Sequence, residues 1–290
     1  MSLKRDIDYS SSSDDSSEEE LSFMEGQNEV EEELEPEGEN ENPEIVNVNF
    51  DFSDPSEKHF SSLRQYLISY LPIENFFVSE LADLIVKQVS VGTMIQVENE
   101  PEDVYGFITA LSLHQYRHVE CIQQIRRFLI EKCPEESKKD MLRVLNGKCG
   151  LVISERLVNM PYQLVPPLHN ALHEDIEWAL ENEDNAELRS NFDFEKFIII
   201  STCSVEKAKK KPSGKKASKA SSSDGYSTAK VFQNFEDEFL SQASEISFTV
   251  DKPVRDADVA TAVKKQSVVM VLSRKQHQLS LESFSALVQA

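Results

Sequence analysis

Glycine, cysteine and tryptophan are scarce in this sequence, and each shortage narrows what the chain can do. Its eight glycines include no G-x-x-x-x-G-K-[ST] string, and the nearest pair, Gly147 and Gly150, lacks the third glycine of a dinucleotide cradle. No glycine-rich loop is therefore present to bring backbone N–H groups against a nucleotide's phosphates. The four cysteines, Cys121, Cys133, Cys149 and Cys203, are far apart and form no C-x-x-C pair, which argues against a disulfide framework. No apolar run approaches the roughly 18–20 residues needed to cross a bilayer, and the first twenty residues are too polar and acidic for a secretory signal. The expectation is a soluble intracellular chain with reduced thiols.

Positive charge is also in short supply, with 30 Lys and Arg against 52 Asp and Glu. The imbalance is local. Residues 1–44 hold 17 acids against Lys4 and Arg5, and the remaining 246 residues carry a net charge of only −7. Scattered apolar residues and mutual carboxylate repulsion predict that this head is disordered. Within it, SSSSDDSSEEE places an acid three residues after Ser11, Ser12, Ser16 and Ser17. That spacing suits acidophilic kinases, and each phosphate would add roughly −1.5 to −2 of charge.

From residue 45 to 290 the pattern predicts one α/β domain, with a mixed central sheet flanked by helices. Val46, Val48, Phe50 and Phe52 alternate with polar residues as a strand does, and Asp54-Pro55-Ser56-Glu57 then supplies a helix cap at Asp54, an N1 proline and a capping-box glutamate. Helices follow with Phe60, Leu63, Leu67, Tyr70 and Leu71 inward, and then Leu81, Leu84, Ile85 and Gln88. Two strands, Val91 to Val97 and Val104 to Leu111, flank a polar turn of hairpin length. Helices are expected over about 117–131 and from Ser137 to Leu145. The central stretch reads as a short strand, Leu151-Val152-Ile153, a break at Asn159-Met160-Pro161, and a helix with Leu168, Leu172, Ile176 and Leu180 on one stripe. Phe197 to Ile200 is a continuous apolar run suited to a strand covered on both faces. Residues 204–228 read as a disordered surface insertion. Phe232, Phe235 and Phe239 have helical spacing. Ile246 to Val250 and Val268 to Leu272 read as strands, and Leu279 to Val288 as a last amphipathic segment.

The run GLVISERLVNMPYQLVPPLHNAL (150–172), with Val46-Asn47-Val48-Asn49-Phe50 before it and Glu236-Asp237-Glu238-Phe239 after it, resembles the signature of the BCCIP family of eukaryotic nuclear proteins. The similarity spans about residues 44 to 290, except for the insertion. It implies an acetyltransferase (GNAT)-like fold without acetyltransferase activity. It also implies a chaperone role toward a basic ribosomal protein of the large subunit, together with nuclear export and nuclear transport receptors.

The residues themselves offer little catalytic chemistry. His114 with His118, and His169 with His173, have the spacing of a zinc-protease helix, but the glutamate of H-E-x-x-H is missing from both. His169 and His173 are expected on the polar flank of their helix, hydrated or hydrogen-bonded. Ser154-Glu155-Arg156 follows a strand where a nucleophile elbow would stand, yet the flanking glycines are absent. Glu155 and Arg156 are expected to pin the strand end by local ion pairing. Cys149 and Cys203 read as small core residues, and Trp178 as a packing residue. An acetyl-coenzyme A site would need a Q/R-x-x-G-x-G/A loop, and none occurs. No catalytic, cofactor or metal residue is therefore assigned.

Two features point to binding. The segment KAKKKPSGKK places Lys207, Lys209, Lys210, Lys211, Lys215 and Lys216 in a split basic run resembling a nuclear import signal. Glu174, Asp175, Glu177 and Glu181, continued by Glu183 and Asp184, make an acidic helix face suited to a basic protein client, although such a run also serves as plain solvated surface. The functional expectation is a non-catalytic nuclear escort for basic clients, shuttling to the cytoplasm and binding neither nucleic acid nor membrane. An acetyltransferase-like enzyme is the other reading weighed.

Overall fold

Eight strands form one sheet in a computed structural model that describes residues 48–98, 102–205, 230–253 and 264–289. The acidic head with Ser11, Ser12, Ser16 and Ser17 lies outside the described residues, as does the run from Lys207 to Lys216. The strands are β1 (Phe50–Ser53), β2 (Gly92–Val97), β3 (Gly106–Ser112), β4 (Cys149–Arg156), β5 (Lys196–Val205), β6 (Lys230–Phe232), β7 (Ile246–Asp251) and β8 (Lys264–Ser273). Their order is β1-β2-β3-β4-β5-β8-β7, with β6 added to β5. The α/β class holds, but the sheet is mostly antiparallel: β4 and β5 are its one parallel pair among the described residues.

Alternation of side chains sorts two cores onto the two faces of the sheet. Leu151, Ile153, Ile198 and Ile200 point to one core. Helices α1 (Phe60–Leu67), α2 (Val78–Lys87), α3 (Glu120–Lys132) and α4 (Glu135–Asn146) cover it. Val152, Phe197 and Ile199 point to the other core. There α5 (Val165–Asn182), α7 (Glu236–Ala243) and α8 (Arg274–Val288) pack, with the short α6 (Ala186–Ser190) extending α5. Central strands buried on both sides explain the unbroken apolar run at Phe197–Ile200.

Several local expectations need correction. Ser56, not Asp54, caps the first helical turn, and its N–H donates to His59 Nδ1 at 3.2 Å, so a histidine takes the place of the capping-box glutamate. Phe232 is in strand β6, because Lys230–Phe232 pairs with Cys203–Val205. Phe235 and Phe239 instead pack edge-on to each other and to Phe284 of α8, which is a tertiary aromatic cluster rather than one helical stripe. All four cysteines are free and buried, among them Cys149 and Cys203, the two expected as small core residues.

Candidate functional site

Helix α5 joins a buried polar junction on its inner side to a charged outer surface. Pro166 and Pro167 occupy its first turn, where a missing N–H costs nothing. Leu168, Leu172, Ile176 and Ala179 are buried against the sheet, and the three large aliphatic side chains are worth about 1.5–3 kcal/mol each.

The inner flank carries His169 and His173, and both are buried, contrary to the expected hydrated position. His173 Nε2 lies 2.9 Å from Nδ1 of the fully buried His277 on α8. The His277 ring lies tilted at 5.3 Å from His169 and 5.1 Å from His173, and meets Phe197 edge-on at 5.2 Å. Burial pushes His169 down to about 3 and His173 to about 4, and holds His277 well below the usual histidine range. These are neutral rings joining α5 to α8. Among the described residues no group of three potential ligands could hold a metal ion. His114 and His118 belong to the turn before α3.

Where β4 and β5 part, two of the three stretches that carry the family resemblance meet, Arg156 from one and Glu236 from another. Register between these strands ends at Val152↔Ile199. Beyond it, Arg156 forms a two-pronged ion pair with Glu236 at the start of α7, and the second bond, Nη2 to Oε2, measures 2.8 Å. Both side chains are almost completely buried, at 5% and 1% exposure. This replaces the expected local Glu155–Arg156 pinning with a link across 80 residues. Ser201 Oγ donates to Asp237 Oδ2 at 2.5 Å. Burial, and next the neighbouring Glu236, raises the Asp237 carboxyl well above the carboxylate range. Glu155 is pushed up to about 7, chiefly by burial and against the pull of Lys252 and Arg156. On its side of the sheet Lys252 Nζ donates to Ser69 O (2.9 Å) and Thr202 Oγ1 (2.7 Å). Ser154, His169, Ser201, Gln233, Asn234 and Asp237 line a cavity of about 10 Å3 in the gap, the room of one water molecule.

Gly106 sits opposite Arg156 in the β3–β4 register, and a Cβ added there would come 2.8 Å from Arg156 Cβ. Gly106→Ala is expected to lower stability by about 1–3 kcal/mol, the usual cost of overpacking. Urea denaturation measures it, and a loss below about 0.5 kcal/mol would show that β3 yields freely.

On its outer side α5 divides the expected acidic cluster into different roles. Asp175 turns inward, accepting from Gly92 N–H (3.1 Å) and Thr93 Oγ1 (3.4 Å), and burial raises it to about 6. Glu183 accepts from Ser90 Oγ, tying the helix end to the turn before β2. Glu177 pairs with Arg274 at 3.2 Å. Glu174, Glu181 and Asp184 face solvent. Trp178 does too, with 55% of its surface exposed, contrary to its expected packing role. Residues 157–195 contain nine acids and one base, Arg189, whereas residues 113–148 around α3 and α4 contain eight bases and five acids. The two helical layers thus differ in sign across the sheet.

The fold resembles that of the crystal structure of BCP1 from Saccharomyces cerevisiae. The TM-score is 0.57 at 22% identity, covering 86% of this chain and 93% of that one. A protein named BCCIP homolog from Arabidopsis thaliana is 30% identical over 234 residues, 79% of this chain and 69% of that one. A Schizosaccharomyces pombe protein named bcp1 is 29% identical over 195 residues, 61% and 67% of the two chains. The BCCIP family model matches residues 45–240, and this chain belongs to the BCCIP family.

Proposed function

We propose that this chain is a non-catalytic carrier of basic proteins, with the outer face of α5 and α6 as its client surface. The observation that carries the reading is the charge of the 157–195 segment, nine acids to one base. Opposed charge steers a basic client to that face and shields the client's own positive surface. A basic protein of the large ribosomal subunit is the client proposed, with nuclear transport receptors as further partners and passage between nucleus and cytoplasm as the setting. The lysine run Lys207–Lys216 is the proposed import signal, and phosphorylation at Ser11, Ser12, Ser16 or Ser17 would add charge of the same sign as the head.

An acetyltransferase-like arrangement draws some support from the parallel β4–β5 pair that splays apart. Catalysis with an acyl-coenzyme A does not follow from it. Gln233, Asn234, Asp237 and Leu240 line that gap around a cavity of about 10 Å3, and the adjoining hollow at Glu155, Thr202 and Lys252 holds about 100 Å3, both short of the roughly 300 Å3 of a ligand cleft. The reading is therefore binding.

Its test is the double reversal Glu174→Lys with Glu181→Lys, measured by calorimetry against a basic ribosomal protein at several salt concentrations. Both residues are exposed on α5, so the fold is expected to persist. Affinity should drop about tenfold or more, with a shallower salt dependence. Unchanged affinity would move the client to another surface.

A further inference from the structure

The chain's single tryptophan is exposed on α5, within the 157–195 segment of nine acids and one base. Large aromatics gain most from burial and serve as anchors at interfaces. Trp178 leaves 55% of its surface in solvent, although Ile176 and Ala179 beside it are fully buried. Helical spacing places Glu174 one turn before the indole and Glu181 one turn after it, and a long helical side chain leans back over the preceding turn. Asn182 Nδ2 donates to the Trp178 carbonyl at 3.0 Å, which fixes the backbone beneath the ring.

A flat π-face flanked by carboxylates is complementary to a planar cation. The indole is the best cation–π acceptor among side chains, and guanidinium stacks on it while donating at its edge to carboxylate oxygens. Lysine's compact, strongly hydrated ammonium lacks that planar match. We propose that Trp178 is the anchor of the α5 face, receiving an arginine side chain of a basic client between Glu174 and Glu181. This rests on the carrier reading above and adds to it which residue holds the client and which basic side chain is preferred.

Nona-arginine and nona-lysine serve as probes of the full-length protein, with Trp178 as its own fluorescent reporter. Nona-arginine should quench and shift the emission, and should bind more tightly than nona-lysine. Calorimetry, which needs no tryptophan, reads the variants: Trp178→Ala should weaken nona-arginine about tenfold and nona-lysine about threefold or less, with Trp178→Phe in between. Because no charge is removed, the salt dependence of the remaining binding should match that of the unaltered protein, unlike the Glu174→Lys/Glu181→Lys variant. The melting temperature should be unchanged, since the indole is half exposed. If Trp178→Ala binds both peptides normally while charge reversal weakens them, the anchor is wrong and the carrier reading stands. If neither peptide binds the unaltered chain, the carrier reading itself fails. An emission maximum that shifts on dilution of the protein alone would show a second copy covering the indole, and would overturn the proposal.

Discussion

Replacing Arg156 with methionine is expected to lower stability by about 3–5 kcal/mol, the cost of leaving one member of a buried ion pair without its partner. Glu236 is 1% exposed and would lose both guanidinium bonds. Asp237, next in sequence and itself buried, would lose the guanidinium that eases its ionisation. Domains of this size hold only about 5–15 kcal/mol in total, so the single variant sits near its folding threshold. The double variant Arg156→Met/Glu236→Leu should recover most of the loss, because two apolar groups of similar volume need no partner. Guanidinium titration of the two single variants and the double completes a double-mutant cycle. A single-variant loss under about 1 kcal/mol would mean that water reaches the pair, and the view that it clamps β4 to α7 would fall.

The clamp also shows where reading the chain stops. Strands were legible wherever alternation or an unbroken β-branched run was visible, as at Phe197–Ile200, which needs only period-two geometry. Helix α5 was legible from Leu168, Leu172 and Ile176. Its orientation at the far end was not, because each four-residue step overshoots a full turn by roughly 40°. After three steps the stripe has rotated away from Leu180, and Ala179 takes the core place. The same rotation puts Trp178 roughly 145° from the centre of the buried face, which an angular count, rather than proximity to Leu180, would have revealed. It likewise carries His169 and His173 inward, where residue polarity had suggested solvent. No local pattern could supply the Arg156–Glu236 bond, since its partners lie 80 residues apart and only the splay of β4 from β5 brings them together. The acidic face was evident from composition alone. Which acids are already engaged, Asp175 with Gly92 and Glu177 with Arg274, depends on neighbours from other elements.

The histidine cluster should make stability respond to acid in a way one substitution exposes. Its members are His169 and His173 from α5 and His277 from α8, faced by Phe197, by Arg274 beside His173, and by Arg156 toward His169. All three are held neutral in the fold, whereas the unfolded chain protonates them below about 6.5. The unfolded state then binds more protons, so each ring withdraws about 1.4 kcal/mol of stability per pH unit as pH falls below 6.5. Glu155, Asp175 and Asp237 act in the opposite sense. Their raised carboxyls take up protons in the fold before they do in the unfolded chain, and acidification favours the fold until the unfolded carboxylates also titrate, near pH 4. Between about pH 4.5 and 6 these three carboxyls oppose the three rings and His59, which burial also holds below the usual histidine range, so the parent protein's own profile is expected to fall only gently with acid. His277→Leu breaks that balance. At pH 8 it should cost about 1–3 kcal/mol, because His173 Nε2 loses its partner. At pH 5 it should sit about 2 kcal/mol closer to the parent than at pH 8, having removed one ring that must stay uncharged. Paired denaturant titrations at the two pH values read this difference directly. An equal deficit at both would show that His277 accepts a proton in the folded protein as readily as in the unfolded chain, and the neutral cluster would no longer be what seats α8 on α5.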